Sequence, residues 1–196
     1  MNCHLPALSR PGSAVPALPR MRGVGLLEVL VALIILSLGA LGIAGLQATA
    51  HQSGHESQQR LLATFLANDI VERMRLNPTA LDVYAATDIS GTTFASEPVP
   101  DCSTSSPCTP SQLATHDLWE WEQALIGTAI QNNGNNVRGL IQPTGCISNN
   151  GGQISVVIAW RSLDEVADAG AAAGNDPGCG TASAFRRQLV INTFIN

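Results

Sequence analysis

Apolar and polar positions divide the chain into segments of different character. Residues 29–46 form an apolar run of 18 residues without a charge, and the uncharged stretch extends to Ala50. This length is sufficient for a helix to cross a bilayer. No proline follows the start of the run until the Asn77-Pro78 pair, which ends a helix because the residue before proline disfavours helical dihedrals. The pattern therefore predicts one helix over residues 24–76.

The first 19 residues of the chain contain four prolines and show no periodicity. Residues 1–19 are interpreted as an unstructured leader outside the fold.

The second half of the predicted helix is amphipathic. The apolar residues of the amphipathic half recur at helical spacing and need a covering layer outside a membrane. They are Leu61, Leu62, Phe65, Leu66, Ile70, Val71 and Met74.

A second helix is predicted from Thr109 to about Ile130. Thr109, Pro110 and Gln112 supply an N-cap, a proline at the first helical position and the glutamine of a capping box. Apolar residues then recur on one face that should be buried. They are Ala114, Leu118, Trp121 and Leu125.

Beyond this helix the periodicity becomes strand-like. Three runs bounded by Gly and Asn clusters, residues 138–148, 152–162 and 185–195, are predicted strands, and the short "NNGG" connection favours antiparallel pairing of the first two. Residues 79–110 and 163–180 are predicted to be irregular. The fold class is therefore α+β, with a long N-terminal helix, half of it transmembrane, and a second helix packed on a small antiparallel sheet.

Charge is distributed unevenly about the apolar run. Arg10, Arg20 and Arg22 precede it with no acid, while residues 24–196 hold 7 Arg against 15 acids, a net charge of −8. The positive-inside rule places the N-terminus in the cytoplasm and the residues after about Ala50 outside. The acidic remainder lacks the basic face that nucleic-acid binding requires, so no nucleic-acid partner is expected.

Four of the five cysteines follow the apolar run. Only Cys3 precedes it. Cysteines on the outer side meet an oxidising compartment, and an even number there predicts disulfides rather than a metal or catalytic site. Four cysteines allow three connectivities, of which we prefer Cys102 with Cys108 and Cys146 with Cys179.

Glu28 is the feature that the apolar run does not explain. It stands at the start of the run in "RGVGLLEVLVALIIL", where a carboxylate is unfavourable without a partner. A basic leader, then Gly23, Val24 and a glutamate four residues later, resembles the type IV pilin and pseudopilin family. The helix ending in "ERMRLNP", the segment "CTPSQLATHDLWEWEQAL" and the strand "VVIAWRS" are similar to minor pilins of the PilV type.

The resemblance implies a processing site and an assembly site. Prepilin peptidase would cut between Gly23 and Val24, Val24 would be N-methylated, and Glu28 would be mature residue five, facing the new α-amine of a neighbouring subunit. It implies a cleaved leader (1–23), a transmembrane assembly segment (24–50) and a periplasmic pilin domain (51–196). The implied partners are prepilin peptidase, other minor pilins, the major pilin and the inner membrane. The implied final location is the cell-surface pilus.

Other interpretations of the N-terminus remain open. The Ala48-Thr49-Ala50 triplet could end an ordinary secretory signal, and a plain single-span anchor needs no glycine cleavage. A minor pseudopilin of type II secretion shares the N-terminal segment. A membrane-anchored periplasmic binding or enzymatic domain is the alternative from another functional class.

The sequence contains few residues whose spacing could support catalysis or metal binding. His51 and His55 have a helical metal-binding spacing beside Glu56, but a solvated helix face explains them better. Glu120 and Glu122 flank Trp121 and are assigned to the wet side of the second helix. No nucleophile motif, phosphate loop or zinc signature is present, so we expect a structural protein with no enzymatic activity, cofactor or metal.

Overall fold

The computed structural model describes residues 23, 25–103, 107–129, 131–136, 139–165 and 167–196. The described residues divide into two units, the first ending at Leu46 and the second running from Gln47 to Asn196. Helix α1 (Leu26–Leu76) contains residues of both units, and its end at Leu76 confirms the stop predicted at Asn77-Pro78.

The second unit combines helices with one four-stranded sheet, which confirms the predicted α+β class. Two three-residue 3-10 helices, Pro78–Ala80 and Ala169–Ala171, occur in the connections. The remaining elements, in chain order, are α2 (Leu81–Tyr84), β1 (Ala86–Ile89), α3 (Pro110–Ile126), β2 (Gln131–Asn132), β3 (Asn135–Asn136), β4 (Thr144–Asn150), β5 (Gln153–Arg161) and β6 (Arg186–Phe194). The sheet has the antiparallel order β1-β4-β5-β6, and β2 pairs with β3 separately.

The β4–β5 hairpin closes through two glycines. Gly151 and Gly152 have φ of +62° and +89°, a conformation that glycine adopts readily. The register pairs Asn150 with Gln153 and Thr144 with Ala159. The antiparallel hairpin predicted from the "NNGG" connection is therefore confirmed.

The prediction of an irregular segment over residues 79–110 is wrong at its beginning. This region supplies α2 and strand β1, which pairs with β4 at the edge of the sheet. The four-residue strand is interrupted by a register shift, and Asp88 has a φ of +58°. So short and irregular a strand offers little alternation for a sequence pattern to detect.

The main core lies between the two long helices and one face of the sheet. On α1 it is formed by Ala63, Leu66, Ala67, Ile70, Val71 and Met74, and on α3 by Ala114, Leu118, Trp121 and Leu125. The facing residues of β5 are Ile154, Val156, Ile158 and Trp160. The four predicted α3 positions are thus all buried. On the opposite face of the sheet, Cys146, Val157, Ala159 and Cys179 form a smaller cluster.

Trp121 joins the three layers of the main core. Its indole Nε1 donates a hydrogen bond of 2.9 Å to the Leu66 carbonyl on α1. A Cβ atom at Gly145 on β4 would lie 2.4 Å from the Trp121 ring, so glycine is required at this close approach. The ring is fully buried with its polar atom satisfied, as buried tryptophans require.

The predicted apolar stripe of α1 is only partly correct. Leu61 and Phe65 are 71% and 67% exposed, whereas Ala63 and Ala67 are fully buried. Four of the predicted residues, Leu66, Ile70, Val71 and Met74, are buried, but the face also includes Ala63 and Ala67 in place of the two larger side chains. Periodicity identified the helix but placed its buried stripe too far to one side.

Helix α3 ends before the predicted Ile130, which lies outside the described residues. Gly127 adopts a left-handed conformation with φ of +72°, and its N–H bonds back to the last turn. This is a common way for a helix to end. The predicted capping box is present at the other end, where Thr109 and Gln112 exchange hydrogen bonds.

Candidate functional site

Glu28 lies in the first turn of α1. The Gly25 carbonyl accepts hydrogen bonds from the N–H groups of Glu28 (3.0 Å) and Val29 (3.2 Å), which starts the helix. A carboxylate in a first turn is stabilised by the helix dipole and by the unpaired N–H groups there. The helix terminus therefore lessens, without neutralising, the unfavourable charge beside the apolar run.

The apolar residues that follow Glu28 are exposed in the isolated chain. Leu26, Leu41 and Leu46 are 84%, 74% and 73% exposed. By length and composition, α1 is a helix that could cross a membrane. A bare apolar surface of this extent needs lipid or other protein chains to cover it. The first unit is thus built for a non-aqueous environment.

The predicted processing site lies only in part within the described residues. Gly23 is exposed, and a Cβ atom added there would meet nothing within 4 Å. Val24, the predicted new N-terminus, lies outside the described residues. Cleavage between Gly23 and Val24 and methylation of Val24 therefore stay predictions, as does the assembly role of Glu28.

Two disulfides cross-link the second unit. Cys102 pairs with Cys108 and Cys146 pairs with Cys179, the connectivity preferred from the sequence. The first closes a loop just before α3. The second fixes the long connection between β5 and β6 to the middle of β4.

A charged network lies between α1 and α3. Arg73 of α1 forms ion pairs with Asp69, Asp117 and Glu120. Burial lowers the pKa of Arg73, but its hydrogen bonds to Glu120 and Asp117 outweigh that effect and raise the pKa above its ordinary value. The guanidinium is thus held charged and ties the two helices together.

Tyr84 extends this network towards α2. Its hydroxyl donates a hydrogen bond to the Asp117 carboxylate and lies 3.4 Å from the Asn77 amide nitrogen. Burial, and then the bond to Asp117, raise the pKa of Tyr84 above its ordinary value. Tyr84 therefore stays a neutral donor at physiological pH, which suits a structural role.

The prediction that Glu122 lies on the solvent-exposed side of α3 is wrong. The side chain is fully buried, and its carboxylate accepts hydrogen bonds from the backbone N–H groups of Gly91 (2.9 Å), Thr93 (2.8 Å) and Phe94 (3.1 Å). The segment after β1 covers this side of α3 and supplies the donors. Nothing in the local pattern of "WEWEQ" predicts that cover, because the segment is about thirty residues away in sequence.

A group of His and acidic side chains lies beside α3. His116, Glu97 and Asp101 bring one potential ligand atom each to within 4.8 Å of the others. No sequence motif predicts this group, because its members come from a loop and a helix without metal-motif spacing. His51 and His55, the pair considered from the sequence, line a shallow groove along α1.

An ion pair anchors the connection between β5 and β6. Arg186 is almost fully buried and donates to both carboxylate oxygens of Asp168, at 2.6 and 2.9 Å. It also donates to the carbonyls of Pro177, Cys179 and Gly180. The guanidinium lowers the pKa of the Asp168 carboxyl below its ordinary value.

This pair predicts an acid-sensitive contribution to stability. Because the folded-state pKa of Asp168 is lowered, its contribution is present above the unfolded pKa of about 3.9 and is lost as pH falls through the folded value. Asp168→Asn should therefore lower the melting temperature at pH 7, with a difference from the parent that shrinks towards pH 2. The exposed Glu165→Gln is the matched control and should leave the melting temperature unchanged. A pH-independent deficit for Asp168→Asn would contradict the ion-pair explanation.

Comparisons with known proteins find two family models that match the N-terminal half of the chain. Residues 18–44 match the family model described as prokaryotic N-terminal methylation motif, and residues 45–119 match the one described as type IV pilin Tt1218 (Tt1218-like). No curated protein and no solved structure matches the chain.

The two matches adjoin and together cover residues 18–119, which end before strands β2 to β6. The methylation motif contains Gly23, Val24 and Glu28, and the pilin region contains the second half of α1 and the first half of α3. The family is structural rather than enzymatic. The chain thus has a prokaryotic N-terminal methylation motif followed by a region similar to type IV pilins, and its fold is a long apolar N-terminal helix followed by a small antiparallel sheet.

Proposed function

We propose that the protein is a minor pilin of a type IV pilus, processed by prepilin peptidase between Gly23 and Val24. The observation that carries the proposal is a methylation motif with Glu28 in the first turn of an exposed apolar helix. After processing, Val24 would carry the new, N-methylated α-amine. The similarity of the rest of the chain to PilV-type minor pilins, noted from the sequence, favours a place in the complex that primes assembly or forms the tip.

Glu28 is proposed to pair with the α-amine of an adjacent subunit. Opposite charges about 4 Å apart at an effective dielectric near 20 attract by about 4 kcal/mol. That attraction is similar to the roughly 2.5–3.5 kcal/mol that an unpaired carboxylate costs near the centre of a membrane helix. The pair would therefore draw a subunit out of the membrane and fix its axial register in the filament.

The second unit is proposed to lie in the periplasm before assembly and on the pilus afterwards. Arginines before the apolar run keep the N-terminus in the cytoplasm. The two disulfides require an oxidising compartment on the other side. Prepilin peptidase, the major pilin and other minor pilins are the proposed partners.

Two alternative functions are separated by a deletion of the gene. Loss of piliation and twitching motility supports a pilus subunit, while loss of protein secretion supports a minor pseudopilin of type II secretion. An unaffected pilus and secretion system would favour a membrane-anchored binding or enzymatic domain. The similarity to type IV pilins makes the first two the main competitors.

Glu28→Ala is expected to reduce incorporation into sheared pili at least tenfold, without changing the amount of processed protein in the membrane. The reason is that loss of an attraction of about 4 kcal/mol corresponds to roughly a thousandfold in an equilibrium constant. The measurement is immunoblotting of sheared filaments and membranes, with mass spectrometry of the mature N-terminus.

Glu72→Ala provides the matched control. Glu72 is an exposed acid on the same helix, in an i,i+3 ion pair with Arg75, and its loss should leave incorporation unchanged. A mature N-terminus at Val24 supports processing at Gly23, whereas a start at His51 or Met1 would contradict it. Normal incorporation of Glu28→Ala would overturn the assembly role of the carboxylate.

A further inference from the structure

His116 is held on α3 with its imidazole towards two loop carboxylates. Its side chain is 3% exposed, and its Nε2 lies 3.4 Å from Glu97 Oε1 and 3.5 Å from Asp101 Oδ1. Both separations exceed the 2.7–3.2 Å typical of an N–H···O hydrogen bond. Glu97 Oε1 thus makes a long hydrogen bond to this nitrogen, Asp101 lies at a similar distance, and the three side chains converge.

These separations match the spacing of ligands around a tetrahedral metal ion. Zinc bonds to histidine nitrogen and carboxylate oxygen are about 2.0–2.2 Å, so neighbouring ligand atoms in a tetrahedron lie about 3.4 Å apart. The Glu97 and Asp101 oxygens lie within 4.8 Å of each other, and these side chains are 44% and 42% exposed. Asp101 Oδ1 also accepts hydrogen bonds from the Ser103 N–H (2.9 Å) and hydroxyl (2.6 Å), which orient that carboxylate, while the buried imidazole supplies a fixed ligand.

The other ring nitrogen of His116 also faces a carboxylate. Nδ1 lies 3.9 Å from Glu120 Oε1, one helical turn further along α3, and Glu120 is itself paired with Arg73. Histidines that bind metals commonly direct their second nitrogen towards a carboxylate, which sets the tautomer and orients the ring. The Trp119 ring also packs against the imidazole, with the ring centroids 5.5 Å apart and the ring planes tilted by 55°.

We propose that Glu97, Asp101 and His116 form a binding site for a divalent transition-metal ion of the Zn²⁺ class. One nitrogen and two carboxylate oxygens leave a fourth tetrahedral position for water or for a group from another chain. The ligand set disfavours Ca²⁺, which takes six to eight oxygen ligands. The proposal is independent of the pilus function proposed above.

A bound ion would fasten the loop before α3 to the helix. Glu97 and Asp101 precede the Cys102–Cys108 disulfide, and His116 lies in the second turn of α3. The ion would thus add a second link between this loop and the helix. Metal binding would then stabilise the folded unit by an amount that grows with the logarithm of the ion concentration above the dissociation constant.

The test is calorimetric titration of the full-length protein in detergent with ZnCl₂, CoCl₂ and CaCl₂. Cys3→Ser is included in every variant so that the leader thiol does not bind metal. We expect one Zn²⁺ per chain with a micromolar dissociation constant, tetrahedral Co²⁺ absorption bands, and at least tenfold weaker binding of Ca²⁺. His116→Gln and Glu97→Gln should each weaken Zn²⁺ binding at least tenfold.

The double variant His51→Gln/His55→Gln is the matched control, because it removes the helical histidine pair without touching the proposed site. It should bind Zn²⁺ as the parent does. Circular dichroism and the metal-free melting temperature identify any variant that fails to fold, and Asp101→Asn then serves as the replacement. Absence of Zn²⁺ binding, unchanged binding by folded His116→Gln, or loss of binding in the double control would each overturn the proposal.

Discussion

Glu122→Ala is expected to lower the free energy of unfolding by about 3 kcal/mol, a large part of the 5–15 kcal/mol typical of a domain. The buried carboxylate accepts three backbone hydrogen bonds, from Gly91, Thr93 and Phe94. Hydrogen bonds to a charged group contribute about 1.5–3 kcal/mol each, and the segment is exposed enough for water to replace part of them. The substitution should therefore release the segment after β1 from α3. Urea unfolding monitored by circular dichroism measures the change.

Two further variants make this prediction specific. Glu122→Gln keeps the volume and one acceptor oxygen but places an amide donor near an N–H group, so it should fall between the parent and Glu122→Ala. Glu72→Ala removes an exposed acid and should change stability by less than about 0.5 kcal/mol. Equal effects of Glu122→Ala and Glu72→Ala would mean that the buried hydrogen bonds contribute nothing.

Removing the Cys146–Cys179 bridge is expected to destabilise the protein by about 4 kcal/mol in the loop-entropy description. The bridge spans 33 residues, and both cysteines are buried together with Val157 and Ala159. The paired substitution Cys146→Ala/Cys179→Ala removes the cross-link without leaving a free thiol. It should release the connection between β5 and β6 from the sheet and lower the thermal midpoint.

The other disulfide provides an internal comparison. Cys102 and Cys108 are six residues apart, and the shorter loop predicts a contribution of about 2 kcal/mol. Cys102→Ala/Cys108→Ala should therefore be the milder of the two paired variants when thermal unfolding is measured under identical conditions. A larger effect from the shorter loop would show that loop entropy is not the dominant contribution.

Local patterns were sufficient to predict most of the regular elements. The end of α1 followed from Asn77-Pro78, and the start of α3 followed from the capping box at Thr109. The β4–β5 hairpin followed from its two-glycine turn. Each of these signals depends on residues a few positions apart, which is the range over which backbone preferences act.

Contacts between distant residues could not be predicted in the same way. The sequence placed Glu122 in solvent because its neighbours on α3 look like a polar face, yet residues 91–94 cover it. Strand β1 was missed because its pairing with β4 is irregular. In α1, Ala63 is buried and Leu61 is exposed. Which of the two is buried depends on the elements that pack against the helix, and the helical period of the sequence does not identify those elements.

By itself the sequence determined the α+β class, the membrane-length helix with Glu28 at its start, and the cysteines available for cross-linking. These properties depend on composition, hydrophobic period and short-range spacing, all of which can be read directly from the sequence. Only the tertiary structure decided which acidic side chains are buried and which converge on His116. The physical reason is that burial and ligand geometry are set by segments that meet in space after folding, independently of their separation along the chain.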